Sequence, residues 1–120
     1  RKPRETMSAH QRAPAPEEPA SVRDSLRAAG AALAAGDARG AIQALLRACL
    51  VHLGSRGAIT LERWKTNTIY LRECSTASSW YAVFRDLAMA HNDIVYAHRS
   101  VDAHRIGVLM DALARQIETA

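Results

Sequence analysis

Six polar side chains are the best candidates in this sequence for binding chemistry. They are five residues of one short segment and a tyrosine farther along the chain: Lys65, Thr66, Asn67, Tyr70, Arg72 and Tyr96. Together they offer two cations, an amide and three hydroxyl groups, which are groups that proteins use to hold anions. These residue types predict a site for a protein partner or for a small anionic ligand such as a nucleotide.

The first three of these residues also have a structural interpretation. Thr66 or Asn67 would serve as the N-terminal cap of a helix, whose first amide groups need an acceptor. Lys65 does not fit a cap, because a cation at a helix N-terminus opposes the helix dipole. We therefore expect the Lys65 ammonium to reach an internal partner, either a carboxylate such as that of Asp93 or the carbonyl groups at the end of another helix. Such a contact would pin the preceding connector, whereas an unpaired Lys65 would favour a binding site.

The neighbouring polar residues have simpler interpretations. Arg72 and Glu73 are expected on the solvated side of the helix that follows Lys65. His91 falls on an apolar line, so we expect a core histidine with a hydrogen-bond partner rather than a metal ligand. Tyr96 is expected to be half buried, with its hydroxyl group near a partner.

Signatures of catalysis are missing from the sequence. Lys65 and Thr66 resemble the end of a phosphate-binding loop, but Gly54 and Gly57 are too far upstream to complete it. The five histidines form no pair at a spacing of four residues, and a zinc site needs three or four convergent ligands. We therefore expect no enzymatic activity, no metal and no cofactor.

The composition favours helices and gives little support for nucleic-acid binding. The chain is 48% hydrophobic but only 5% aromatic, and alanine, the best helix former, is abundant. Its net charge is +4, and the basic residues are scattered rather than clustered, so no nucleic-acid partner is expected. Cys49 and Cys74 fall on apolar helical faces and are expected to be buried, unpaired thiols. No stretch of the sequence has the apolar length needed to span a bilayer.

The apolar residues recur at helical spacing, which predicts an all-α bundle of about five helices. The first helix begins at the capping pattern Ser21-x-x-Asp24 and ends at Gly36. The second begins at once with Asp37, so the two form an antiparallel hairpin like a tetratricopeptide unit. The other helices are expected from about Thr66 to Cys74, from Trp80 to about Tyr96, and from about Asp102 onward.

The first 20 residues differ from the rest of the chain. They contain three closely spaced prolines, a group of charges and almost no apolar residues, so they have little to bury. We predict that residues 1–20 are a disordered linker of the juxtamembrane type and that residues 21–120 form the helical domain.

The sequence resembles an uncharacterised bacterial domain. The matching residues are Ala35-Gly36-Asp37, Ala41-Ile42, Gly57-x-Ile59 and the run Lys65-Thr66-Asn67-x-x-Tyr70-Leu71-Arg72-Glu73, with Phe84, Tyr96 and Val101 beyond it. That domain is found at the C-terminus of transglutaminase-like membrane proteins and of smaller membrane proteins. The resemblance covers about residues 25–117. Ile69 and Ala97 depart from it, since the family usually has a glutamate and a glycine at these positions.

The resemblance implies a location and possible partners, but no activity. It implies a domain on the cytoplasmic face of the bacterial inner membrane, tethered by a segment upstream of Arg1. It also implies gene neighbourhoods with MoxR-type AAA ATPases, so the expected partner is such an ATPase or the membrane-bound part of the same protein. We expect a non-catalytic protein-interaction module; the alternative is a sensor domain for a small anionic ligand such as a nucleotide.

Overall fold

The structure, a computed structural model, describes residues 22–119. The predicted linker over residues 1–20 and the predicted capping serine, Ser21, lie outside the described residues. Within the described range the chain forms five helices and no strands, so the prediction of an all-α bundle is confirmed. The helices are α1 (Val22–Ala34), α2 (Ala38–Ser55), α3 (Asn67–Glu73), α4 (Ser79–Val95) and α5 (Ala103–Thr119).

Helices α1 and α2 form the antiparallel hairpin expected from the sequence. Gly36 has a φ angle of 77°, a conformation that side chains with a Cβ rarely adopt, and it reverses the chain after α1. Asp37 follows directly and caps α2, since its carboxylate accepts a hydrogen bond of 2.9 Å from the backbone N–H of Gly40. A turn of three residues therefore suffices to fold the second helix back on the first.

Helix α2 lies at the centre of the bundle, in contact with α1, α4 and α5. Its residue Leu45, in the middle of the apolar stripe of the helix, is completely buried. Both cysteines are unpaired and buried, as predicted. Burial raises the pKa of the Cys49 thiol, so this thiol stays protonated and behaves as a small apolar group. The largest fully buried side chains come from four helices: Ile42, Leu45, Leu46, Leu50, Leu53, Tyr70, Phe84, Leu87, Ile106 and Leu113.

Two glycines shape the end of α2. The helix continues past Gly54 and ends at Ser55, and Gly57, with a φ angle of 76°, turns the chain away. At Gly54 a Cβ atom would lie 2.8 Å from the Cγ atom of Leu61. Glycine is therefore needed at this position because the segment after α2 folds back against the helix. No helix within residues 22–119 is long and apolar enough to cross a lipid bilayer.

Candidate functional site

Residues 56–66, here called the connector loop, join α2 to α3 without helix or strand. Lys65 lies near the end of this loop and is only 5% exposed. Its Nζ atom donates hydrogen bonds to the backbone oxygen of Thr60 at 2.6 Å and to Oε2 of Glu73 at 2.5 Å. The predicted internal partner of Lys65 therefore exists, and it connects the start of the loop to the last turn of α3.

Glu73 completes this contact from the other side. Its Oε1 atom accepts a hydrogen bond of 3.0 Å from the backbone N–H of Thr60, while Oε2 accepts from Lys65. Burial raises the pKa of Glu73, but the bonds from Lys65 and Thr60 outweigh it and lower the pKa below its ordinary value. The carboxylate is thus held in its charged form, and both backbone groups of Thr60 have a partner.

Two expectations about this contact are wrong. Asp93 is not the partner of Lys65, because its carboxylate pairs with Arg105 at 3.1 Å and with Arg99 at 3.5 Å. Glu73 is not merely a solvated residue, since it is the acidic partner of the buried lysine. Arg72, beside it in sequence, is exposed on α3 as expected.

Tyr70 holds the middle of the connector loop. The side chain is fully buried, and its hydroxyl group donates to the backbone oxygen of Glu62 at 2.8 Å and accepts from the backbone N–H of Glu62 at 3.0 Å. Burial raises the pKa of Tyr70, so the hydroxyl keeps the proton that it donates. The loop therefore obtains from side chains the hydrogen bonds that a helix or sheet would obtain from its backbone.

Thr66 is the N-terminal cap of α3, one of the two residues expected in this role. Its Oγ1 atom accepts a hydrogen bond of 3.3 Å from the backbone N–H of Ile69. Ile69 has no side-chain acceptor, so the reciprocal half of a capping box is missing. The structure therefore assigns Thr66 to the helix end.

Asn67 connects α3 to the end of α4. Its Nδ2 atom lies 3.3 Å from Nδ1 of His91, and both side chains are buried. The ring of His91 meets the ring of Tyr96 edge-on, with 6.1 Å between the centroids. Burial and then the charge of Arg39 lower the pKa of His91, so the imidazole is neutral and its Nδ1 atom can accept a hydrogen bond from the Nδ2–H of Asn67. His91 is thus a core histidine with a partner, as expected.

A second histidine, His52, is partly buried at the edge of the bundle. The ring of His52 stacks on the ring of Trp80, with centroids 4.7 Å apart and an angle of 24° between the planes. Its Nε2 atom is buried and has no hydrogen-bond partner among the described residues. Burial and then the charge of Arg56 lower the pKa of His52, and the neutral ring packs as an apolar surface.

Trp64 is the functional candidate that the sequence reasoning missed. A tryptophan in a connector is ordinarily expected to pack against the core, yet this side chain is 40% exposed. Its indole Nε1 atom donates to Oε1 of Glu62 at 2.7 Å, and the Nζ atom of Lys65 lies 5.8 Å from the ring centroid. One feature of the sequence indicates that this tryptophan is exposed: it lies between the charged residues Arg63 and Lys65.

The six predicted site residues are therefore divided among four places. Lys65 and Tyr70 hold the connector loop, Thr66 caps α3, and Asn67 reaches Tyr96 through His91. Arg72 lies apart on the exposed side of α3. Among residues 22–119, no three histidine, cysteine or acidic side chains are close enough together to hold a metal ion.

Comparisons with known proteins give no further assignment. No protein family, no curated protein and no solved structure matches this chain.

Proposed function

We propose that this domain is a non-catalytic protein-interaction module that docks a protein partner through its connector loop, with Trp64 as the central contact. One observation carries the proposal. Five hydrogen bonds, made by Lys65, Tyr70 and Glu73, hold a loop without regular structure in one conformation around an exposed tryptophan. Loops held by a compact scaffold are common binding elements.

The energetics of binding explain why such a loop would be useful. Tryptophan is among the residues that contribute most to the affinity of protein interfaces. Ordering a mobile loop on binding costs free energy, so a loop that is ordered before binding retains more of its contact energy. The hydrogen bond from the Trp64 indole to Glu62 also fixes the direction in which the ring is presented.

The sensor alternative is the weaker proposal. It relies on Lys65 to attract an anion, but the ammonium already has two internal acceptors and the side chain is 6% exposed. Arg72, the other cation of the predicted site, lies on the exposed side of α3 rather than beside Lys65 in the loop. An anionic ligand would have to displace Glu73 before it could reach the lysine.

The resemblance described above suggests the partner and the location. It favours a MoxR-type AAA ATPase or the membrane-bound part of the same protein as the occupant of the loop, at the cytoplasmic face of the bacterial inner membrane. The proposal involves no nucleic acid.

Binding of the ATPase tests the proposal directly. The domain is immobilised and titrated with the purified MoxR-type ATPase encoded by the same genome, and binding is followed by biolayer interferometry. Trp64→Ala should weaken binding at least about tenfold, as expected for a central aromatic contact. Arg72→Ala is the matched control, because it removes an exposed side chain outside the loop. Tyr70→Phe keeps Trp64 but removes both bonds to Glu62, and should weaken binding by loosening the loop.

The membrane-bound part of the same protein is tested in the full-length chain. A photoreactive amino acid at position 64 should cross-link to that part, and one at position 72 should not. Equal binding of the ATPase by the Trp64→Ala variant and the original domain, together with no cross-link from position 64, would show that the loop is not the docking site.

A further inference from the structure

The outer faces of α4 and α5 carry the two most exposed large hydrophobic side chains among the described residues. Met89 on α4 is 52% exposed and Val108 on α5 is 51% exposed. Tyr96, at 36% exposure, is the C-terminal cap residue of α4 and lies just beyond the end of that helix. None of the three belongs to the connector loop, and together they mark a separate surface.

Met89 and Val108 lie at the same level on two antiparallel helices. Two contacts fix the alignment of the helices. Near the start of α4, the hydroxyl group of Ser79 donates a hydrogen bond of 3.0 Å to Oε1 of Gln116. Near its end, Nη1 of Arg105 pairs with Oδ2 of Asp93 at 3.1 Å. Met89 precedes Asp93 by four residues, and Val108 follows Arg105 by three, so each is one helical turn from that pair. Because Met89 and Val108 are both solvent-exposed, they lie on either side of the outer groove between α4 and α5.

The charges on α4 are arranged so that this helix complements a second copy of itself. Arg85 lies four residues before Met89, and Asp93 lies four residues after it. Within one chain Arg85 pairs with Asp86, and Asp93 pairs with Arg99 and Arg105. If two copies of α4 cross antiparallel at Met89, each Arg85 also faces Asp93 of the second copy, so the ion pairs of the two copies meet across the crossing.

Helix α5 repeats the arrangement around Val108. Arg105 lies three residues before Val108, and Asp111 lies three residues after it. A two-fold axis at the level of Val108 therefore sets Arg105 against Asp111 of the second copy. No like charges meet across this axis on either helix, which is the condition for a self-complementary face.

We propose that the chain forms a two-fold symmetric homodimer through the outer faces of α4 and α5, with Met89 against Met89 and Val108 against Val108. Each helix has 17 residues and is about 25 Å long, so the two present about 500 Å² per copy. Specific interfaces that bury about 1,000 Å² in total are at the low end of the known range. The dimer is therefore weak and depends on protein concentration.

Sedimentation velocity over a concentration series of the whole chain, from about 10 μM to about 1 mM, tests the dimer. Met89→Lys and Val108→Lys should each raise the dissociation constant at least about tenfold, because each sets two cations against one another on the axis. Arg85→Glu should also weaken it by facing Asp93 of the second copy. Ala31→Lys, on the exposed side of α1, is the control that should leave it unchanged.

Cysteine cross-linking tests the symmetry. Met89→Cys should form an intermolecular disulfide under mild oxidation, because a residue on the axis faces itself. Ala82→Cys, also exposed on α4, should not, since seven residues or about 10 Å of helix separate it from the axis. The native cysteines are buried and do not compete. A monomer at every concentration, a dimer unaffected by Met89→Lys, or equal cross-linking at positions 82 and 89 would overturn the proposal. Trp64→Ala leaves dimerisation unchanged, so this test is independent of the proposed docking loop.

Discussion

Replacing Lys65 with methionine should destabilise the domain by about 2–3 kcal/mol. Methionine keeps the length of the side chain but removes the ammonium that Thr60 and Glu73 share. A hydrogen bond to a charged group contributes about 1.5–3 kcal/mol, and Lys65 donates two of them. Thr60 is an exposed residue and the side chain of Glu73 is 29% exposed, so water replaces part of what both acceptors lose and the expected cost is about 2–3 kcal/mol rather than the full sum.

Urea denaturation measures this loss, and thermal melting should show it as a fall in Tm of roughly 10–20 °C. Arg72→Met is the matched control, because it removes an exposed cation from the neighbouring helix and should change the free energy of unfolding by less than about 0.5 kcal/mol. A double-mutant cycle with Glu73→Gln should give a coupling of about 1 kcal/mol or more. A Lys65→Met variant within about 0.5 kcal/mol of the original chain would refute the reasoning.

Two further perturbations test the core. Leu45→Ala should cost about 2–5 kcal/mol in urea denaturation, because the side chain is fully buried on the central helix; a loss below about 0.5 kcal/mol would contradict its packing role. The free energy of unfolding should fall as the pH drops below about 6.5. In the folded chain the lowered pKa values of His52 and His91 keep both rings neutral, whereas in the unfolded chain both rings become protonated. The fall should level off below the folded pKa values, and His91→Gln should reduce it; a free energy that stays constant or rises from about pH 7 to about pH 5.5 would contradict this account.

The number and order of the helices could be predicted from the sequence because their signals are local. Gly36 and Asp37 end one helix and cap the next within two adjacent positions, and Thr66 caps α3 in the same way. The apolar stripe of α2, with Leu45 at its centre, needs no knowledge of the other helices. Each of these features depends on residues within about one helical turn of one another.

The partner of Lys65 could not be predicted in the same way. Local electrostatics correctly indicated that the ammonium needs an internal acceptor, but the choice among acceptors depends on the path of the connector loop. That path is set by the turn at Gly57 and by the packing of Leu61 against Gly54, two features that helical periodicity does not reveal. The same path decides that Trp64 is exposed while Lys65, its neighbour in sequence, is buried.

The burial of Lys65 also affects how this residue reacts with electrophiles. An amine attacks an acylating reagent only when its nitrogen is accessible, and this nitrogen lies between the Thr60 oxygen and the Glu73 carboxylate. Of the two lysines in the chain, this one should therefore react at a rate limited by the opening of the connector loop. The rate of Lys65 acylation, measured by mass spectrometry, therefore reports the opening of the connector loop in chains that are otherwise folded. An enzyme that modifies this lysine can reach it only after the loop has opened.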